Sequence, residues 1–463
     1  MSRAKSLLKN TGILMLAKIS TQLINFLLLP LYTSLLTTEQ YGEVDIYTSL
    51  VMIIIPILTL QLEMAVFRYF IVEKEEQSKY DIITSSYGIV AMIVAIVTVL
   101  YFIASFIVHI KYCLLVYLFY FTQVWTAMFL QTCRAKGDNV AYGVGSLLNS
   151  SLAVAFNVIY IAFMGMRVDG ILLSYVVAQT ISSIYMIKRT AFFRIFSQGM
   201  FRITKCRELL AYSVPLIFNQ ISSWVINYSD RLIILTFFGQ GTNGIYSLAN
   251  KFSNIVGTFF GVYNVAWTEN VIRTLDDEDA NDYICKIFGI SFSFYLIIVT
   301  GIINILPFVF RVLVNRSYFD AYGHIPILLL AMVFSGMSAN MGSIYIAYKK
   351  TKEVSITTTL AGVVNIIVHF LLINTCKLYA ASLSTLISFF ALFIYRLYFL
   401  KKFFEIKVDC KNFFIQFCVL AVSCVGYYSR DIAVETLGFS LNVLFMILVI
   451  KRNKDQIINF IKR

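Results

Sequence analysis

Residues 82–108 read IITSSYGIVAMIVAIVTVLYFIASFIV, with no charged side chain from end to end. A bilayer core of ~30 Å is crossed by about 20 apolar residues in a helix, so this run is long enough to span a membrane. Within lipid, the backbone of such a run satisfies its own hydrogen bonds only as a helix. Thirteen further runs share the pattern: 11–36, 42–72, 112–134, 140–164, 168–189, 207–238, 242–273, 283–313, 324–347, 355–374, 378–400, 412–429 and 432–450. Together they predict an all-α, polytopic integral membrane protein of about 14 transmembrane helices. Several runs exceed the minimum, so tilt or extension beyond the bilayer is expected. The first run, 11–36, is too long for the apolar core of a cleaved leader and is expected to remain a span. The last two runs give the weakest evidence for crossing, and twelve helices with an attached pair is the alternative count.

Composition agrees with lipid as solvent. Apolar residues make up 59% of the 463 positions and charged residues 14%, against roughly 45–50% apolar in soluble domains. A folded soluble chain has no surface on which to hide so much apolar area. The net charge of +13 does not form a nucleic-acid patch, because Lys and Arg sit in short clusters between apolar runs. That is how a membrane protein marks its cytoplasmic side. With fourteen spans, the N-terminus, the even-numbered loops and the C-terminal tail carry 29 of the 38 Lys and Arg residues. The odd-numbered loops carry six: Lys111, Arg167, Arg311, Arg316, Lys377 and Arg430. Three remain inside runs: Lys18, Arg231 and Lys251. The bias predicts cytoplasmic N- and C-termini in a cell inner (cytoplasmic) membrane.

A short repeat supports two halves. Ile19-Ser20-Thr21-Gln22-Leu23-Ile24-Asn25-Phe26 matches Ile221-Ser222-Ser223-Trp224-Val225-Ile226-Asn227-Tyr228, and Gly42 matches Gly244 in the same register. The repeat pairs the first helix of each half and implies two six-helix bundles related by an axis along the membrane normal. The expected organisation is an N-terminal bundle over 1–189, a basic cytoplasmic linker over 190–206, a second bundle over 207–402, and an extra helix pair with a basic tail over 403–463. The linker is expected to touch anionic headgroups.

Ionisable groups inside a membrane each need a reason, since each costs about 2.5–3.5 kcal/mol at the bilayer centre. Lys18, Gln22 and Asn25 share one helix face by their i, i+4, i+7 spacing. Gln220, Ser223, Asn227 and Asp230 or Arg231 form a second stripe, and Lys251, Asn254 and Thr258 a third. Such stripes face a shared interior rather than lipid. Two plainer readings stand beside this: Lys18 snorkels to the cytoplasmic surface, and Asp230, Arg231 and Lys251 form a structural ion-pair cluster. That cluster holds two cations and one acid, leaving one cation for an anionic ligand. Glu63, Arg68 and Glu269 lie nearer the cytoplasmic ends, where headgroup-level pairing explains them as well as function does. Glu63 and Asp230 are candidates for binding a coupling proton or cation. His369 reads as a packed neutral histidine, and Gln123, Asn149, Asn157 and Asn340 as interhelical hydrogen bonders.

Nothing in the sequence reads as a catalytic or metal site. No Gly-rich phosphate loop, acidic pair or triad stands in a loop, and no C-x-x-C pair or zinc spacing occurs among the eight Cys residues. The run Asp276-Asp277-Glu278-Asp279 reads as a solvated turn rather than a calcium loop. The chain is therefore expected to be no enzyme and to use no cofactor or metal.

One stretch carries a family resemblance. Tyr212-Ser213-Val214-Pro215-Leu216, then Ile221-Ser222, Asn227, Asp230-Arg231, Gly239, Gly244-Ile245-Tyr246-Ser247, Ala249 and Lys251-Phe252 resemble the central signature of polysaccharide flippases. These are the O-antigen and capsule repeat-unit transporters of the multidrug/oligosaccharidyl-lipid/polysaccharide exporter superfamily. Lys9-Asn10-Thr11 leading to Pro30 and Tyr41-Gly42, and Arg134-Ala135-Lys136-Gly137-Asp138-Asn139, agree with it. The resemblance covers the first twelve runs. It implies a two-lobed helical fold with a central cationic cavity. It also implies that the cargo is an undecaprenyl-pyrophosphate-linked glycan, in contact with membrane lipids and other polysaccharide assembly proteins. Fixed cations replace the water a pyrophosphate sheds, and Lys18, Arg231 and Lys251 are the candidates, with Gln22, Asn25, Gln220, Asn227 and Asn254 as polar lining.

The rival readings differ in what they need. A cation-coupled multidrug exporter of the same superfamily wants acids at depth, where this chain has more cations. The span 7–8 signature speaks against a peptidoglycan-precursor flippase. A membrane-embedded polysaccharide polymerase or ligase wants a large external loop bearing a site, and the external loops are short. A scaffold has no need of buried cations.

Overall fold

The computed structural model describes residues 19, 22–23, 26–108, 111–275, 278–402, 404 and 410–453. All regular elements among them are helical. The chain forms two compact units, Met1–Tyr228 and Ser229–Arg463. The division falls within a helix, later in the chain than the expected linker.

The first unit holds α1 (Leu29–Leu35), α2 (Thr38–Thr59), α3 (Leu62–Val72), α4 (Glu76–Ile107), α5 (Cys113–Ala135), α6 (Asn139–Asn157, continued by a π-helical stretch Val158–Phe163), α7 (Val168–Thr190) and α8 (Phe192–Gln198). The long α9 (Ile203–Thr274) contains the boundary. The second unit continues with α10 (Ala280–Leu313), a 3₁₀ stretch (Arg316–His324), α11 (Ile325–Ala347), α12 (Thr351–Cys376), α13 (Tyr379–Leu400), α14 (Cys410–Ser429) and α15 (Ile432–Arg452). Eleven helices among the described residues are long and apolar enough to cross a membrane, so this criterion does not reach the expected fourteen. One of the eleven is the 72-residue α9, which contains two of the expected spans, and 413–429 is a shorter apolar helix. Twelve of the 26 residues of the expected run 11–36, among them 11–18, lie outside the described residues.

Local chemistry sets the ends of these helices. Thr37 and Gln40 form a reciprocal capping box at the start of α2. Asp138 caps α6 by accepting from the Ala141 amide at 2.9 Å, and its other oxygen pairs with Arg189 at 2.9 Å. The run 42–72, expected as one helix, is broken: Leu60 and Gln61 take positive φ of 49° and 56° between α2 and α3. Outward faces stay apolar, with Phe106 91% exposed and Phe163 81% exposed, as lipid-facing side chains should be.

The stretch 190–206 is fastened to the first unit. Its α8 and following turn lie along the start of α4. Gln77 Nε2 donates to Gln198 O at 2.9 Å, the Met200 amide to Asp81 at 2.8 Å, and the Arg202 guanidinium pairs with Asp81 at 2.7 Å. Lys205 lies 3.4 Å from Glu73. The Ser78 hydroxyl and then the Glu75 amide pull the Glu73 carboxyl down to about 2. Gly199 is required here, since a Cβ would stand 2.4 Å from Tyr80 O.

In the second unit, Phe260 stacks on Tyr295 with centroids 3.7 Å apart. The Trp267 indole donates to Asn340 O at 2.9 Å. α14 and α15 pack on each other and on α10. Asn442 bridges to Ile297 O at 3.3 Å. The final helix pair therefore shares this unit's core.

Candidate translocation site

Asp230, Arg231 and Tyr246 form one buried cluster in the second unit. The Asp230 carboxylate takes the Arg231 guanidinium at 3.2 Å and the Tyr246 hydroxyl on its other oxygen. Asp230 is 4% exposed, Arg231 3% and Tyr246 fully buried. In a straight helix, residues 16 apart stand ~24 Å from one another. The Asp230–Tyr246 contact therefore requires α9 to fold back between them. It does so at Gly239, whose φ of 81° and ψ of 179° are non-helical; that region of backbone space belongs essentially to glycine.

The sequence expected Arg231 to face a cationic cavity. In the structure it is buried against the neighbouring acid. Lys251 is half-buried, and Asn254, one turn on, is exposed. In the first unit Gln22 and Gln220 are half-buried. Asn227 is exposed and its amide donates to Ser223 O at 2.8 Å. Lys18 and Asn25 lie outside the described residues.

Glu63 sits in the first turn of α3, directly after the break at Leu60–Gln61. It is 8% exposed, and one carboxylate oxygen finds no hydrogen-bond partner among the described residues. A helix start favours negative charge, and broken membrane helices are where transporters build ion and substrate sites.

The remaining polar expectations divide. Gln123 does bridge helices, accepting from Gln179 on α7. Asn340 does too, accepting from Asn264 at 3.0 Å. Asn157 instead donates within its own helix, to Ala153 O at 2.7 Å. The Asn149 amide oxygen and both ring nitrogens of His369 have no partner among the described residues.

Sequence reasoning missed Arg396. It sits near the end of a run and was assigned to the cytoplasmic surface, yet it is 4% exposed. It donates to Ser338 O at 2.6 Å, Thr357 Oγ1 at 3.0 Å, Val354 O at 3.1 Å and Thr358 Oγ1 at 2.8 Å. The guanidinium fork thus ties α13 to α11 and α12 without a carboxylate. Among the described residues, no group of His, Cys, Asp and Glu is placed to hold a metal ion.

Comparison with known proteins fits this architecture. Residues 7–268 match a family described as "Polysaccharide biosynthesis protein". No curated protein matches the chain at a significant level. Among solved structures, a lipid II flippase MurJ in an inward closed conformation is similar, with a TM-score of 0.72 and 14% identity, covering 96% of this chain and 100% of that one. An inward-facing multidrug resistance MATE transporter of the MOP superfamily is similar with a TM-score of 0.64 and 15% identity, covering 84% and 97%. At these identities the likeness is one of fold. The all-helical, multi-pass membrane architecture expected from hydropathy is the one found.

Proposed function

This chain belongs to the polysaccharide biosynthesis protein family, and from that we propose that it is a flippase for undecaprenyl-pyrophosphate-linked oligosaccharide repeat units. It moves them from the cytoplasmic to the outer leaflet of the inner membrane by alternating access, for O-antigen or capsular polysaccharide assembly, beside other polysaccharide assembly proteins. Both termini lie in the cytoplasm. The observation that carries this reading is a transporter fold in a polysaccharide biosynthesis family. The solved structures that share the fold are a flippase and a multidrug transporter, which supports a carrier.

Chemistry supports the cargo. A pyrophosphate crossing the bilayer needs fixed positive charge in exchange for its water. Lys18 and Lys251 are the proposed direct contacts. Arg231, paired with Asp230, contributes a fixed dipole rather than a net charge. Gln22, Asn25, Gln220, Asn227 and Asn254 supply neutral polar lining. Of the two coupling candidates, Glu63 with its unpartnered oxygen suits a proton or cation better than Asp230, which already holds Arg231 and Tyr246.

The test is genetic. Deletion should leave lipid-linked glycan on the cytoplasmic leaflet. Lys18→Ala and Lys251→Ala, at normal membrane levels, should each lower export about tenfold, the equivalent of ~1.4 kcal/mol. Arg231→Ala should impair it as well. Normal export by all three variants removes the cationic site, and normal export after deletion removes the flippase.

A further inference from the structure

In the second unit a cavity of about 600 Å³ opens where four turns meet, within the ~300–1,000 Å³ of small-molecule sites. The turns are the fold-back at Gly239, the 3₁₀ stretch before α11, the α12–α13 turn and the α14–α15 turn. All four are odd-numbered loops, so they lie at the end opposite the basic loops.

Two of the six cations assigned to that side, Lys377 and Arg430, line the cavity, with Asp320 as its acid. None of the three is in an ion pair among the described residues. Lys377 and Arg430 both hold positive φ, 49° and 57°, which non-glycine residues seldom adopt. The backbone thus spends strain at the two residues that carry the charge.

The aromatic walls are fixed in place. Tyr322 stacks on Tyr427 at 4.0 Å and 6°, and each hydroxyl donates to the other's backbone carbonyl. The Arg430 guanidinium lies 5.6 Å from the Tyr322 ring centre. Tyr379 packs on His324 with centroids 4.3 Å apart. The Tyr428 hydroxyl donates to Gly323 O at 2.8 Å. An interfacial anchor keeps its hydroxyl among headgroups; this one is turned into the protein. Yet Tyr379 and Tyr428 remain 42% and 48% exposed, so ring surface is left for a ligand.

We propose that this cavity binds an acidic sugar of the transported glycan. The ring hydrogens of a sugar pack on an aromatic face, its carboxylate suits Lys377 and Arg430, and Asp320 accepts from hydroxyls. The balance of two cations and one acid matches a single carboxylate. A pyrophosphate, with more negative charge, would meet Asp320 as a repulsive neighbour. The choice of ligand rests on the flippase reading; the site itself rests on the cavity.

The experiment uses the whole chain in nanodiscs of neutral lipid, titrated calorimetrically with three probes. These are a tetrasaccharide alternating glucuronate and N-acetylglucosamine, the neutral chitotetraose, and inorganic pyrophosphate. Wild type should bind the acidic tetrasaccharide at least tenfold tighter than the neutral one. Lys377→Ala/Arg430→Ala should abolish that preference, and Tyr379→Ala should weaken both sugars. Equal binding of the two sugars by wild type, or tighter binding of pyrophosphate, overturns the proposal without any variant having to fold. Flipping of lipid-linked glycan in reconstituted vesicles is read separately. Flipping without an acidic preference defeats this site alone, and binding without flipping defeats the flippase reading alone.

Discussion

At the scale of single residues, the Asp230–Arg231 pair has the largest energetic consequence. Removing charges from water costs several kcal/mol apiece, and the pair repays this only while both partners stay. Asp230→Ala should therefore destabilise the protein by about 3–5 kcal/mol, because it takes from the buried Arg231 the carboxylate it pairs with. The double variant Asp230→Ala/Arg231→Met should lose clearly less. Thermal unfolding of the purified protein in detergent measures both; a double variant no better than the single one would mean that the pair is not what holds the cluster. The sequence made Asp230 and Arg231 visible, as charges in an apolar run. Tyr246 stood in the same signature but carried no sign of its role, which depends on a fold-back that joins positions far apart along α9.

At the scale of elements, hydropathy found the helices because crossing a membrane is a property of a whole segment. It left gaps at Gly239, Lys377 and Arg430, but it did not find the break at Leu60–Gln61 inside the run 42–72. Gly239 could be read as a turn residue, and its backbone confirms that role. Leu60, Gln61, Lys377 and Arg430 also adopt positive φ, but nothing in a leucine, glutamine, lysine or arginine announces it. Arg396 was misplaced for a related reason: its acceptors are two backbone carbonyls and two threonine hydroxyls on other helices, which no spacing reveals. Gly239→Ala should cost about 1–3 kcal/mol through backbone strain alone, since nothing lies within 4 Å of its would-be Cβ. Its unfolding temperature, compared with that of an alanine at the helical glycine Gly261, where a Cβ also meets nothing, checks this. Equal temperatures would show that the fold-back does not need a glycine.

At the scale of the molecule, the charge bias predicts which ends face which compartment. In a background without the eight native cysteines, cysteine at Lys377 or Arg430 should react with an impermeant maleimide added to intact cells. Cysteine at Gln198 or Lys349 should react only after permeabilisation. The reverse pattern would invert the topology, and with it the direction assigned to the outer-end cavity. The repeat predicts two halves joined over 190–206, whereas the two compact units divide between Tyr228 and Ser229. The stretch 190–206 reads as a connector by composition, while its hydrogen bonds to α4 make it part of the first unit.

The pairing of Asp230 with Arg231 also has an electrical meaning. An unpaired charge carried across a membrane potential exchanges about 2.3 kcal/mol per 100 mV. An acid and a base held 3.2 Å apart travel as a dipole with no net charge, so the voltage does no work on them as a pair. If the chain is the flippase proposed above, any voltage sensitivity of its transport has to enter through the cargo's phosphates, through other charged side chains, or through an ion taken up at Glu63, and the current per cycle would tell these apart.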